Sequence, residues 1–417
     1  MSTGPVDLFS ASSALRRVGA PAAALRRSLP APVRWRAGGR EEHRPPPVEI
    51  AFLLDYGVAP QTLGAAHRIA RRQGVSADAA LLAERLIDEA FFYRALADHL
   101  GAAFVDGGVE VAPSGVATAA SGYARLKAPE RGVMWLFAPR GAEIVRLMSA
   151  VRAAGGRPRF AVTTRTRFIE AVRRADPEDV ARIAAFSAER ANKDLCVRGA
   201  LRRGPLAVAL IMLAALAFGL FSPMKPLALA CALFFAVAFL ANIFLRLLAV
   251  AAGYEARDLS GWIADARALI YTIVIALYQE SSVARQLVRA LDGFDYPRAK
   301  LDIKFVVEQD DAETAAALRA DPPSAPYEII VAPEGAPRTK PRALNIAMPL
   351  ARGSLVAVFD AEDLPDPRQL RSAAALFDAL PQDVACLQAS LVIDNGGLNW
   401  MTALFALDYA ALFDIYN

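Results

Sequence analysis

Four carboxylates crowd together in "SLVAVFDAEDLPDPRQL" (354–370): Asp360, Glu362, Asp363 and Asp366 follow directly on the apolar run Leu355 to Phe359. Like charges at a strand end repel unless something positive sits among them. Along an extended strand, residues two apart face the same way, so Asp360 and Glu362 can reach one ligand. A hard divalent cation, Mg²⁺ or Mn²⁺, prefers oxygen and is commonly held by one or two carboxylates plus substrate phosphates. Such an ion neutralises the charge that grows on a diphosphate leaving group. The competing role for an acid here is a helix N-cap, and Asp366 before Pro367 fits that role.

The elements that must position this cluster repeat along the C-terminal region. Apolar runs at 269–277, 303–308, 327–332, 354–360 and 385–393 alternate with helical patterns near 282–293, 312–320, 341–351 and 367–380. Short runs buried on both faces and separated by helices predict an open α/β sheet with mainly parallel strands. Ligands bind such sheets at the carboxyl ends of the strands. The first run ends in "ALYQE", which places Glu280 there, and the second in "VEQDDAET", which gives Asp310 and Asp311. Between the third and fourth runs "PRTKPRALN" supplies Arg338, Lys340 and Arg342 ahead of a helix, an arrangement suited to phosphate. No GxGxxG follows the first run, and GxxxxGK(S/T) and GxSxG are absent, which argues against a dinucleotide oxidoreductase, a P-loop NTPase and an α/β-hydrolase.

The 417 residues allow two or three domains. A net charge of +4 gives no case for nucleic acid as a partner. Cys196, Cys231 and Cys386 lie far apart, which predicts a reducing compartment and no structural zinc. His43, His67 and His99 all lie in the first quarter, so chemistry in the C-terminal half works without histidine. Residues 1–47, rich in Ala, Arg and Pro, read as a disordered tail, with a transit peptide as the alternative. Residues 48–180 read as a small α+β domain of regulatory type, in which Ser76 and Asp88 cap helices and Gly101 stops one. A basic linker spans 181–204. The apolar runs 205–222 and 226–250 then predict a two-helix transmembrane hairpin, supported by a mean hydropathy of +0.29, although the first run is short enough for a core helix. Lys193, Arg198, Arg202 and Arg203 before the first run put both chain ends in the cytoplasm, and Arg246 can snorkel to that side. Residues 251–417 form the α/β domain. Its last helix carries Trp400, Leu404, Phe405, Tyr409 and Phe413, suited either to a membrane interface or to packing against a further half-domain.

The ordered set "ALYQE", "VEQDDAET", "TKPRALN" and "VFDAEDLPDP" resembles the membrane-bound family-2 glycosyltransferases, including the cellulose-synthase-like ones. That resemblance covers about 268–417 and implies a GT-A (Rossmann-like) fold. It also implies metal-dependent, inverting transfer from a nucleotide-diphosphate sugar, UDP-linked, to a glycan or lipid-linked acceptor, at the cytoplasmic face of a bacterial inner membrane whose lipid is a further partner. By the same resemblance Tyr278 and Glu280 line the nucleotide pocket, Asp311 with Asp310 beside it holds the base, and Lys340 approaches the diphosphate. Asp360 contacts ribose and metal, and the second metal position is open between Glu362 and Asp363. The family's general base sits in a downstream Thr-Glu-Asp motif, expected beyond Asn417, so the chain reads as the donor half of the domain. The alternative reading is a catalytically inactive membrane protein with a vestigial donor site and a docking or signalling N-terminal domain. "QGVSADAALLAERLIDEAFFYRALADHLGAAFVD" (73–106) resembles the N-terminal domain of type II secretion ATPases, some of which bind cyclic di-GMP; that resemblance makes cyclic di-GMP a candidate ligand, and a docking or regulatory module with no ligand is the other reading.

Overall fold

The computed structural model describes residues 45–410 apart from 114–117, 131, 157, 176, 178–183, 187–188, 191, 193–206, 208–209, 215–216, 219–224 and 253–260, and also residues 412–413. The chain divides into two compact units. The first joins residues up to Ser187 with Gly261–Asp378, and the second joins Ala188–Ser260 with Ala379–Asn417.

The first unit opens with helices whose ends the sequence dictates. Helix α1 (Pro60–Gln73) begins on a proline and stops at Gly74, which takes a left-handed φ of 67°. Helix α2 (Ala77–Ala83) follows Ser76, but the serine side chain makes no cap. Glu49 Oε1 accepts the Ala77 N–H at 3.2 Å instead, so a longer side chain from earlier in the chain has taken the serine's place. Helix α3 (Glu89–His99) is capped as its sequence predicts, Asp88 accepting from the Phe91 N–H at 2.9 Å. A four-stranded sheet in the order β1 (Ala103–Phe104), β4 (Phe160–Val162), β3 (Val133–Phe137), β2 (Tyr123–Glu130) carries α4 (Ala142–Ala154) and α5 (Arg165–Arg174).

The second sheet of this unit is parallel throughout, in the order β7 (Tyr327–Ala332), β6 (Leu301–Glu308), β5 (Tyr271–Leu277), β8 (Leu355–Phe359). Helices α7 (Ala284–Asp292), α8 (Ala312–Ala320), α9 (Lys340–Ala347) and α10 (Gln369–Ala379) join or follow these strands. Alternation along β5 and β6 sends Ile273, Ile275, Phe305 and Val307 to one face, where α7, α8 and α10 cover them. Val274 and Val306 go to the other face, where they share a core with Ile346 of α9 and with Leu136, Phe168 and Ile169 of the first sheet's layer. Arg173 of α5 donates to the Val331 carbonyl at 2.8 Å, covering part of the open edge of β7.

A buried ionic network fastens the amino ends of the four strands. Lys304 of β6 is fully buried between Asp302 at 3.0 Å and Glu328 of β7 at 2.8 Å. Asp302 also accepts from Thr272 Oγ1 of β5 at 2.9 Å and from Arg352 Nε, just before β8, at 2.9 Å. Gly353 donates to Thr272 Oγ1 at 2.8 Å, and a Cβ there would lie 2.4 Å from the Thr272 nitrogen, so only glycine fits.

Three expectations are corrected. The run 385–393 forms no strand; Leu391 and Val392 are exposed, with no core to hold them in a sheet. The second unit's described helices are α6 (Lys225–Ala252) and α11 (Trp400–Ala410), both with largely exposed side chains. Most of the run 205–222 lies outside the described residues, as do residues 1–44 and most of the linker. Among the described residues no helix is long and apolar enough to cross a membrane, which overturns the transmembrane hairpin and the multi-pass inner-membrane localisation.

Burial alone would push the Asp302 carboxyl up, but Arg352 and Lys304 outweigh it and hold the group at about 2. A carboxyl depressed in the fold stabilises it above the unfolded value near 3.8, and that contribution is lost as pH falls through about 2. Lys304→Met removes the charge between Asp302 and Glu328 and leaves Asp302 with Arg352 and Thr272. The expected cost is about 3–5 kcal/mol in urea unfolding at pH 7. A cost below about 1 kcal/mol at pH 7 would contradict the role given to this network.

Candidate functional site

The parallel sheet winds from β5 outward to β6 and β7, then returns to place β8 on the other side of β5. The reversal leaves a crevice at the carboxyl ends of β5 and β8, the usual ligand position in such sheets. Tyr278–Glu280 leave β5 there and Asp360–Asp363 leave β8.

The turn after β5 is held by the end of β6. Gln279 adopts a left-handed φ of 59°, uncommon for a residue with a side chain. Asp311 stabilises it: Oδ2 accepts the Gln279 N–H at 2.6 Å, while Oδ1 accepts the Thr314 N–H at 3.1 Å and caps α8. Thr314 Oγ1 in turn accepts the Glu280 N–H at 3.0 Å. Asp311 is buried; desolvation pushes its carboxyl up, but the bonds from Gln279 and Thr314 prevail and hold it below the usual range. Both oxygens of Asp311 therefore serve the frame of the turn.

The turn after β8 is closed by its own acids. Asp363 Oδ2 accepts the Asp360 N–H at 2.7 Å, and the Asp363 N–H reaches the Asp360 carbonyl at 3.3 Å. Burial first, and then the charge of Glu362, push the Asp363 carboxyl up. Among the described residues no ion pair engages Glu362. Asp366 accepts the Arg368 N–H at 2.8 Å at the start of α10, the turn role its sequence suggests.

The loop "PRTKPRALN" sends two cations to the end of β6 and one to the end of β8. Lys340, at the start of α9, pairs with Asp360. Arg338 pairs with Asp310, lies 3.8 Å from Glu308, and sets its guanidinium 4.5 Å above the Tyr278 ring. Arg342 is buried with Nη1 3.5 Å from Glu308 and donates to the Pro333 carbonyl.

Glu280 faces this arrangement from across the crevice. Burial, and next the charge of Glu362, raise its carboxyl; Lys340 acts against them. Its Oε2 is buried with no hydrogen-bond partner. Among the described residues no group of three or more His, Cys, Asp or Glu side chains gathers closely enough to hold a metal unaided. An orphaned carboxylate oxygen beside a second, repelling carboxylate does fit a cation that takes its remaining ligands from a bound phosphate. A cavity of about 460 Å³ adjoins the site, lined by Ser282, Arg285, Gln286, Arg289 and Leu364.

The geometry thus brings Tyr278, Glu280, Asp310, Asp311, Lys340, Asp360, Glu362 and Asp363 to one edge. Sequence reasoning passed over Gln279, Thr314 and Glu308. The signal for Thr314 was present, because it stands three residues after Asp311, where a capped N–H belongs.

Residues 267–413 match the family described as glycosyltransferase like family 2, and the parallel sheet in this stretch is α/β and GT-A-like. The match leaves residues 48–180 outside it. Among solved structures, the mannosyltransferase PcManGT from Pyrobaculum calidifontis, in complex with GDP-Man and Mn²⁺, is 25% identical over 36% of this chain and 43% of that chain, with a TM-score of 0.29. TarS from S. aureus, in complex with UDP-GlcNAc, is 18% identical over 30% of this chain and 41% of that one, with a TM-score of 0.22. The chain spans less than half the length of either structure. No curated protein sequence matches it.

Asp311→Ala removes a helix cap and the anchor of a left-handed turn together. The expected loss is about 1–2 kcal/mol in urea unfolding, with Asp311→Asn recovering part of it, since an amide oxygen can accept one of the two N–H groups. Equal stability of Asp311→Ala and the parent chain would contradict the anchoring role.

Proposed function

We propose that residues 267–413 bind a nucleoside-diphosphate sugar and transfer its sugar, with inversion, to a glycan or lipid-linked hydroxyl acceptor, assisted by Mg²⁺ or Mn²⁺. The family match supports the reaction class. The observation that carries the reading is the crevice between β5 and β8, where the orphaned Glu280 oxygen faces Glu362 and the Asp360–Lys340 pair.

Each side chain has a part that its position suits. Tyr278 offers a ring for the base, and Asp310 and Asp311 border the same slot, with Asp311 fixing the turn that presents the ring. Lys340 turns from Asp360 to the diphosphate. Asp360 contacts ribose and, with Glu362, would hold the cation, which when bound neutralises the departing diphosphate. Asp363 is engaged in the turn, so Glu362 is the better second ligand. In transfer the acceptor hydroxyl gives its proton to a carboxylate base, and its oxygen forms a bond to the anomeric carbon as the carbon–oxygen bond to the phosphate breaks. The electron pair leaves with the nucleoside diphosphate, where Lys340 stabilises it.

Calorimetric titration of UDP with MnCl₂ into the full chain tests this reading. The expected result is saturable binding lost in EDTA and weakened at least about tenfold, roughly 1.4 kcal/mol, by Asp360→Ala and by Glu362→Gln. Absence of binding, or unchanged affinity in both variants, would overturn it.

A further inference from the structure

We propose that the chain carries a second anion site, for a small phosphate-bearing ligand, at the opposite end of the parallel sheet from Asp360. It lies in a cavity of about 560 Å³ whose walls include Arg140, Arg146, Arg165 and Arg352. A volume of that size lies within the usual range for small-molecule sites.

Three elements converge there. Arg140 and Arg146 flank the start of α4, Arg165 is the first residue of α5, and Arg352 lies in the loop that enters β8. Two helices of ordinary length therefore aim the positive ends of their dipoles at a space already lined by four guanidinium groups. Guanidinium groups bind phosphate through paired, charge-assisted hydrogen bonds.

The acids around the cavity are engaged elsewhere in large part. Glu143, also on its wall, accepts the Arg140 N–H at 3.3 Å and closes the first turn of α4. Asp302 holds Arg352 by Nε at 2.9 Å while serving Thr272 and Lys304. Glu89 accepts the Arg165 N–H at 3.1 Å and the Thr166 hydroxyl at 3.0 Å. Positive charge on the walls exceeds negative: burial first, then the neighbouring Arg140 and also Arg352, lower the Arg165 pKa, with Tyr93 and Glu328 acting against them, while Tyr93, Glu89 and Glu328 raise that of Arg140 against its burial. An added anion would relieve that repulsion.

The site is separate from the donor crevice. Arg352 precedes β8 and Asp360 follows it, so the five residues of the strand, roughly 16 Å, lie between them. It is also built by α4, α5 and the β8 loop, and not by residues 73–106.

Inorganic pyrophosphate in EDTA, titrated calorimetrically into the full chain, is the probe. Binding is expected that Arg146→Glu weakens at least tenfold; Arg146 is exposed, so the fold should survive, as a circular dichroism melt would verify. Arg165→Gln is expected to weaken it comparably, and acetate at equal ionic strength not to compete. Lack of binding, parental affinity in both arginine variants, or equal competition by acetate would each overturn the proposal.

Discussion

The carboxylate of Asp302 is the point on which the parallel sheet depends. It joins Thr272 of β5, Lys304 of its own strand and Arg352 at the entry to β8, and through Lys304 it reaches Glu328 of β7. Removing several charges from water is costly, and only complete pairing offsets the cost. The return is a fixed register at the amino ends of all four strands. β8 needs this most: it is a five-residue strand that, among the described residues, pairs with β5 alone, and it carries Asp360 at its far end.

At the carboxyl ends the electrostatic arrangement is of another kind. Lys340 and Asp360 pair with side chains 42% and 51% exposed, so the pair is worth only about 0–1 kcal/mol. An incoming diphosphate can take the lysine, and a cation the aspartate, at little cost. Asp311, by contrast, is buried and fully bonded, and it keeps the Tyr278–Glu280 turn in place whatever occupies the crevice. One edge of the sheet is thus built to be permanent and the other to exchange partners.

Much of the α/β part was legible because its signals are local. The boundaries of β5 to β8 fall within two residues of the apolar runs that predict them, and α8 spans 312–320 as its pattern indicates. Acids at strand ends could be assigned to one edge because parallel strands share a direction. What could not be read depends on contacts distant in sequence. Lys304 sits inside the run "IKFVVE" with nothing nearby to announce that Asp302 and Glu328 would enclose it. Arg338 was visible as a basic residue, but its place above Tyr278 requires the loop to fold back across sixty residues of chain. The shared core between the first sheet's layer and α9 left no periodic trace. The run 385–393 shows the opposite failure: its composition suits a strand, but among the described residues none pairs with it.

The most direct test of the donor crevice is a crystal structure of the chain with UDP and Mn²⁺, read at the manganese anomalous peak. The account predicts one peak between the UDP diphosphate and the carboxylates of Asp360 and Glu362, with Lys340 moved from Asp360 to a phosphate oxygen and the base beside Tyr278. A manganese peak away from these carboxylates, or UDP bound elsewhere on the chain, would contradict it.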